Sequence, residues 1–187
     1  MASEAAGSRD ERITAAALAL LRDGGGRAVT IEAVASRSGV AKTTIYRRYR
    51  DRIDLLTSAL ESLTNPKPPA DLHDGPAVLD WLVEQALSAV TEGIGTGGVA
   101  ALLTGEDPDY TRAIRAVLLR HRAALIEVVG AAAESGALRD DRDAETVIDT
   151  IVGSYIIEHS RRGSVAEDWS DRIRAVLRPA LLPATTE

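Results

Sequence analysis

The chain has 187 residues, 45% of them apolar, which is enough for one mid-sized domain or for a small domain attached to a larger one. It contains no cysteine, which excludes disulfide bonds and thiolate metal sites. The opening segment from Met1 to Arg12 is polar and charged, and no later run approaches the ~20 apolar residues that a membrane-spanning helix needs. We therefore expect a soluble, cytoplasmic protein.

Composition and charge predict an all-α protein with one basic segment. Aromatic residues make up 3% of the chain and Phe is absent, whereas Ala, Leu, Val and Arg are plentiful. The formal net charge is −6, yet residues 27–52 contain seven basic and two acidic residues and carry +5. Phosphate contacts require Lys and Arg to be clustered locally, not a chain that is basic throughout. This charge distribution is typical of a small nucleic-acid-binding module attached to an acidic domain.

The first part of the chain is predicted to form short helices. Apolar residues recur at helical spacing, glycines interrupt the pattern, and Thr30 and Asp51 stand where N-caps are expected. Gly39 allows a tight turn between the second and third helices, and two short helices joined in this way form a helix-turn-helix. The predicted helices run over about Arg9–Asp23, Thr30–Ser38, Ala41–Tyr49 and Asp51–Leu63.

The third helix combines a packing face with a polar, basic face. Ile45 and Tyr49 are four residues apart and should therefore point together into the core. Polar and basic side chains near the start of a recognition helix reach base edges, and further donors around them bind phosphate. The residues predicted on this outer face are Lys42, Thr43, Thr44, Tyr46, Arg47 and Arg48.

The segment VASRSGVAKTTIYRRYRDR, with the helix before it, resembles the TetR family of transcriptional regulators. The family pattern is an apolar helix, Gly, Thr, then I-A-x-x-A-G-V-S-x-G-T-L-Y-x-H-F-x-x-K. The resemblance covers about Arg9 to Leu63 and implies a DNA-binding domain, followed by a helical domain that dimerises and senses a small molecule. The positions in register are Thr30, Val34, Ala35, Gly39, Val40, Thr44, Ile45 and Tyr46.

Individual roles follow from the same resemblance. It implies phosphate contacts from Thr30, Tyr46 and Arg52, and base-facing positions at Lys42, Thr43, Thr44 and Arg47. This chain departs from the pattern with Ala41 for Ser, Thr43 for Gly, Arg48 for His and Tyr49 for Phe. Without a side-chain cap at Ala41 the third helix loses ~1 kcal/mol of stability. These departures leave the operator sequence open.

A proline-rich junction separates this module from the rest of the chain. Residues 65–76 (NPKPPADLHDGP) contain four prolines and a glycine, which predicts a linker between domains 1–64 and 77–187. The later connections are short, so neighbouring helices should pack antiparallel. The helices predicted there run over about Ala77–Glu92, Gly97–Thr104, Pro108–Glu134, Asp143–Arg161 and Ala166–Leu181.

Polar and aromatic side chains on the apolar C-terminal helices are candidate contacts for a small-molecule effector, because ligand pockets are mostly apolar with a few polar groups. The candidates are Trp81, Tyr110, His121, Glu127, Tyr155 and His159. The alternative is that Trp81 and Trp169 belong to the core and that His121 and Glu158 lie at the surface.

Apolar stripes on the last two helices suggest a dimer interface, in which Gly153 and Ser154 would allow close helix approach. An ordinary monomeric core would also explain the stripes, and it is the family resemblance that favours the homodimer. The interface residues predicted are Ile148, Ile151, Val152, Tyr155, Ile173, Val176 and Leu177.

No catalytic or metal-binding pattern is found in the sequence. His73, His121 and His159 are far apart and lack a second ligand at i+3 or i+4, and no nucleophile signature is present. We therefore predict that the protein binds no metal or cofactor and has no enzymatic activity.

The function that we predict is that of a repressor, which binds a pseudopalindromic operator as a homodimer and is released by a small molecule. Two alternatives remain open. One is an all-α ligand-binding or enzymatic protein with a structural N-terminal module, and the other is a similar regulator that activates transcription.

Overall fold

A computed structural model describes residues 8–61 and 65–184. These residues are helical and contain no β-strand, which confirms the predicted all-α class. Leu63, the last apolar residue of the predicted fourth helix, lies outside the described residues. The α-helices of the described part are α1 (Arg9–Gly24), α2 (Ile31–Ser38), α3 (Lys42–Arg48), α4 (Arg52–Ala59), α5 (Gly75–Ser88), α6 (Gly95–Thr104), α7 (Pro108–Glu134), α8 (Ala144–Arg162) and α9 (Trp169–Leu181).

The N-terminal helices begin at side chains that satisfy their first backbone N–H groups. Ser8 and Glu11 form a capping box at α1, in which each backbone N–H donates to the side chain of the other residue. Thr30 Oγ1 accepts from the N–H of Ala33 at 3.1 Å. Asp51 accepts from two N–H groups at the start of α4. The predicted N-caps Thr30 and Asp51 are thus confirmed.

Helix α5 begins two residues earlier than the sequence predicted. Asp74 Oδ1 accepts from the N–H of Ala77 at 3.0 Å, and Pro76 is tolerated because the first turn of a helix needs no donor there. The segment before α5 therefore ends at Asp74, two residues earlier than the predicted linker. After α5, a π-helical turn at Ala89–Ile94 takes the place of the last residues of the predicted helix Ala77–Glu92, and α6 begins at Gly95, two residues earlier than predicted.

Contacts group the chain into two compact units. Of the described residues, one unit combines 8–61 with 89–118, and the other combines 65–88 with 119–184. The long helix α7 contributes to both units. The two units are therefore not continuous in sequence. The domains 1–64 and 77–187 that the proline-rich junction suggested stay a prediction.

The core of the first unit is built on the inward faces of α1 to α4. Ile45 and Tyr49, which the sequence predicted to face inward, are fully or almost fully buried there, together with Ile13 and Val34. Later residues join the same core, namely Ile94, Tyr110, Ile114 and Val117.

Two glycine-rich segments meet inside the first unit. A Cβ atom at Gly97 on α6 would lie 2.6 Å from the carbonyl oxygen of Arg22 and 3.0 Å from the nitrogen of Gly25, at the end of α1. A Cβ at Gly26 would lie 2.5 Å from the Tyr110 ring. Glycines in both segments thus allow the backbones to approach closely, which the sequence did not show.

The second unit has its own core between α5, α8, α9 and the second half of α7. Trp81 and Trp169 are buried in this core, as the alternative interpretation expected. His121 and Glu158 were expected at the surface by the same interpretation, and this was wrong, since they are 4% and 6% exposed. Burial of these two polar side chains is tolerated because each has a partner. His121 Nε2 lies 3.0 Å from the Gln85 carbonyl oxygen, and Glu158 pairs with Arg172.

One helical stretch, Gly75–Thr104, is long and apolar enough to cross a membrane by length and composition alone, with a mean hydropathy of 1.3 over its best window. The sequence interpretation did not anticipate it. The stretch is interrupted at Gly93, whose φ and ψ of −86° and −105° are not helical. Val78, Leu79 and Leu82 are fully buried in the second unit, so we interpret the apolar character of α5 as core packing.

Candidate nucleic-acid interface

Helices α2 and α3 are joined by a three-residue turn. Gly39 has a φ of +67°, in the left-handed region that glycine adopts without strain, and its N–H bonds to the Ala35 carbonyl oxygen at 3.0 Å. Val40 follows and is buried. Ala41 then precedes α3 without a side-chain cap, as its sequence predicted. The turn fixes the direction in which α3 leaves α2.

Helix α3 has one buried face and one exposed face. Ile45 is fully buried and Tyr49, directly after the helix, is 6% exposed, which confirms both as packing residues. Thr44 is half-buried at the edge of the core. The side chains at the surface are Lys42, Thr43, Tyr46, Arg47 and Arg48, with Tyr46 54% exposed although it is a large aromatic residue. This face presents cations, a hydroxyl and an aromatic ring to solvent.

Acidic residues of the neighbouring helices pair with two of these cations. Lys42 Nζ lies 3.0 Å from a carboxylate oxygen of Glu32 on α2, and the hydrogen bond from Lys42 holds the pKa of Glu32 below its ordinary value. Arg48 lies 3.0 Å from Asp10 on α1. The sequence did not predict these two ion pairs, because pairing between side chains of different helices depends on how the helices pack.

Arg52 occupies a different environment from the cations of α3. Its side chain is 31% exposed, Nη1 donates to the Gly26 carbonyl oxygen at 3.0 Å, and Nη2 forms an ion pair with Asp107. Asp107 also accepts from the N–H of Tyr110 at 3.2 Å. Burial acts to raise the pKa of Asp107, but the hydrogen bonds from Arg52 and Tyr110 outweigh it and hold the pKa below its ordinary value. The phosphate contact predicted for Arg52 stays a prediction.

The candidate effector contacts lie in two different units. Tyr110 is fully buried in the first unit, where its hydroxyl donates to the Gly98 carbonyl oxygen at 3.2 Å, and burial raises its pKa. In the second unit, Trp81 Nε1 donates to the Lys67 carbonyl oxygen at 2.6 Å, and Tyr155 packs edge-on against Trp169 with ring centroids 5.4 Å apart. Glu127 is exposed and His159 half-buried. Their role in ligand binding stays a prediction.

The predicted dimer stripe is mostly part of the protomer's own core. Four of its members are between 0% and 7% exposed: Ile148, Ile151, Ile173 and Leu177. Their assignment to an interface is therefore corrected, because a side chain buried within the protomer has no surface left for a partner. Val152 and Tyr155 are half-buried and Val176 is 65% exposed. The sequence missed Ile157 on α8, which is also 65% exposed.

Among residues 8–61 and 65–184, no group of three or more His, Asp or Glu side chains is placed to hold a metal ion. What the fold presents instead is a pair of short helices joined by a tight turn, with cations on the outer face of the second. This defines a helix-turn-helix protein.

Comparison with known proteins assigns the N-terminal segment. Residues 13–59 match the model of the bacterial regulatory proteins of the tetR family, which confirms the predicted resemblance over this segment. The repressor KstR of Mycolicibacterium smegmatis is 45% identical over 60 residues, which cover 32% of this chain and 29% of KstR. The match thus spans less than a third of the relative's length.

Solved structures resemble the fold over almost the whole chain. TylP, a regulator from Streptomyces fradiae, has a TM-score of 0.64 with 19% identity, and the match covers 97% of this chain and 90% of TylP. A putative transcriptional regulator from Saccharomonospora viridis, solved in complex with choline, has a TM-score of 0.61 with 21% identity, covering 93% and 97% of the two chains. These likenesses support the fold of the C-terminal helices, for which the sequence motif gave no information.

Proposed function

We propose that this protein is a ligand-responsive transcriptional repressor that binds a pseudopalindromic operator as a homodimer in the cytoplasm. The observation that carries the proposal is the exposed face of α3, where Lys42, Thr43, Tyr46 and Arg47 stand opposite the buried Ile45. Short polar and cationic side chains on a helix of this kind read base edges in the major groove. KstR, named as a repressor, matches this same segment and favours repression over activation.

The individual contacts divide by chemistry. Lys42 and Arg47 can donate to guanine O6 and N7, and the Thr43 methyl group can contact a thymine methyl. The Tyr46 hydroxyl and the guanidinium of Arg48 serve as phosphate donors, and Thr30 adds a donor at the start of α2. Thr44, being half-buried, contributes its hydroxyl only at the edge of the groove.

The effector part of the proposal rests on the second unit and on relatives. A regulator of the same fold was solved with choline, so a small organic molecule is the class of effector that we propose. Release of DNA requires that the effector bind one conformational state of the dimer more tightly than the other. The candidate contacts in the second unit are Trp81, His121, Glu127, Tyr155 and His159.

The test begins with selection of a preferred duplex from a randomised DNA library, followed by titration of the full chain with the selected and a scrambled duplex. We expect saturable preference for the selected duplex and affinity that falls steeply as salt rises. Arg47→Ala should lose ~1–3 kcal/mol of discrimination at one base position. Arg115→Ala, which removes an exposed arginine from α7, is the matched control and should retain the preference. A protein that selects no sequence would refute the proposal.

A further inference from the structure

The pairing of Arg52 with Asp107 brings together two residues 55 positions apart in the chain. Arg52 is the first residue of α4, two residues beyond the exposed Arg50 and close in sequence to the cationic face of α3. Its guanidinium is nevertheless directed inward, toward Asp107 and the Gly26 carbonyl oxygen. An arginine next to a DNA-reading helix is therefore held by acceptors of the protein itself.

Asp107 is well placed to hold this arginine. Its side chain is 10% exposed, and its second oxygen accepts from the N–H of Tyr110, so the carboxylate is fixed at the start of α7. The preceding residue, Glu106, is held in turn by Arg27, which donates to its carbonyl oxygen at 2.8 Å. The short segment between α6 and α7 is thus attached to the first unit through two arginines.

A carboxylate and a phosphate offer a guanidinium the same recognition chemistry, namely anionic oxygens at matching spacing. The Nη2 N–H that donates to Asp107 cannot at the same time donate to a DNA phosphate, and the Nη1 group is held by the Gly26 carbonyl oxygen. We propose that Asp107 is an internal competitor for phosphate, which holds Arg52 away from DNA until the ion pair opens. The inference rests on the proposed function, because it assumes that the α3 face binds DNA.

The consequence is a positioning role for Asp107 in DNA binding. With the pair closed, Asp107 balances the charge of Arg52, so this arginine contributes less to phosphate binding than an unpaired cation would. With the pair open, one cation is released next to the DNA backbone. Any displacement of the segment between α6 and α7 therefore changes the affinity for all DNA sequences alike, since phosphate contacts carry no sequence information.

The test compares Asp107→Asn with the unchanged protein, using both the selected and the scrambled duplex over a range of salt concentrations. Asn retains the oxygen that caps α7 but lacks the charge that holds Arg52. We expect tighter binding to both duplexes by a similar factor, and a plot of log affinity against log salt that is steeper by about 0.9 for each protomer in contact. In Arg52→Ala/Asp107→Asn this steepening should disappear.

The matched control is Asp109→Asn, which removes the same charge from an exposed acid of α7 that pairs with Arg112 at 3.2 Å. It measures the general effect of one fewer negative charge in the first unit. The inference is overturned if Asp107→Asn gives only the change seen with Asp109→Asn, or if the gain persists without Arg52. If Asp107→Asn does not fold, Asp107→Ser keeps a capping oxygen and takes its place, with the same outcomes.

The two failures are distinguishable in this design. If the protein without substitutions shows no saturable sequence preference, the proposed function is refuted, and the inference with it. If that protein binds its selected duplex but Asp107→Asn leaves the salt dependence of binding unaltered, the inference alone is refuted.

Discussion

At the scale of single residues, neighbouring acids neutralise part of the exposed face of α3. Lys42 pairs with Glu32 and Arg48 with Asp10, whereas no ion pair of Arg47 is found among the residues that the structure describes. A cation that must leave an acid to reach phosphate or base contributes less to affinity than an unpaired one. Under the proposed function, these ion pairs reduce the attraction to all DNA sequences alike, and discrimination depends on the residues that fit the bases.

Replacement of Glu32 by Gln should tighten DNA binding because it releases Lys42 and removes one negative charge beside α3. The gain should stay below about fivefold, since exposed ion pairs are weak. Fluorescence anisotropy with labelled duplexes measures it. Asp23→Asn is the matched control, because Asp23 pairs with Arg37 and not with a residue of α3. Equal gains in DNA affinity in the two variants would contradict this account. So would a gain from Glu32→Gln that persists when Lys42→Ala is already present.

The sequence could predict which residues of α3 face outward but not which acids face them. Ile45 and Tyr49 identify the packing side through helical periodicity, a local property, so the exposed residues follow directly. Glu32 and Asp107 reach their cations only through tertiary packing, which a single sequence does not encode in any spacing. The same difference explains why Arg52 was assigned to phosphate by its position in a motif, although its guanidinium bonds to the protein.

At the scale of helices, the close contact between α1 and α6 depends on glycine. Helix bounds were predicted within a few residues because caps and periodicity are local, but nothing in the sequence shows that residues 24–26 approach residues 95–98. The Arg22 carbonyl oxygen and the Gly25 nitrogen lie 2.6 and 3.0 Å from the position that a Cβ at Gly97 would take. This contact joins the end of α1 to α6 through backbone atoms, which cannot move aside as a flexible side chain can.

Gly97→Ala should therefore destabilise the protein by roughly 1–3 kcal/mol, the usual result of overpacking a well-packed site. Gly130→Ala on α7 is the matched control, since a Cβ there meets nothing within 4 Å. Ala is the better helix former, so this control should stabilise the protein by roughly 0.5–1 kcal/mol. Urea denaturation gives both free energies of unfolding. If Gly97→Ala were as well tolerated as Gly130→Ala, α1 and α6 would not be in backbone contact in solution.

At the scale of the whole molecule, the structure separates the core stripe of the last two helices from the side chains of these helices that stay exposed. Arg172 on α9 donates to both oxygens of the buried Glu158 on α8 at 2.8 Å, which fixes these two helices together. Ile157 and Val176 remain exposed on them, and a Cβ at Gly153 would meet nothing within 4 Å. A sequence stripe cannot distinguish an inward from an outward face, and for this reason most of the interface residues were misassigned.

The outer residues rather than the predicted stripe should govern dimerisation. Ile157→Asp/Val176→Asp places charges on this face without touching the core, so we expect folded monomers where the unchanged protein sediments as a dimer. Leu103→Asp is the control, because Leu103 on α6 is 80% exposed and its replacement should leave the dimer intact. The monomeric variant should also lose most of its affinity for a two-half-site operator, because the second α3 no longer binds as part of the same complex, while binding to single half-sites persists. A double variant that remains dimeric at micromolar concentration would place the interface elsewhere on the chain.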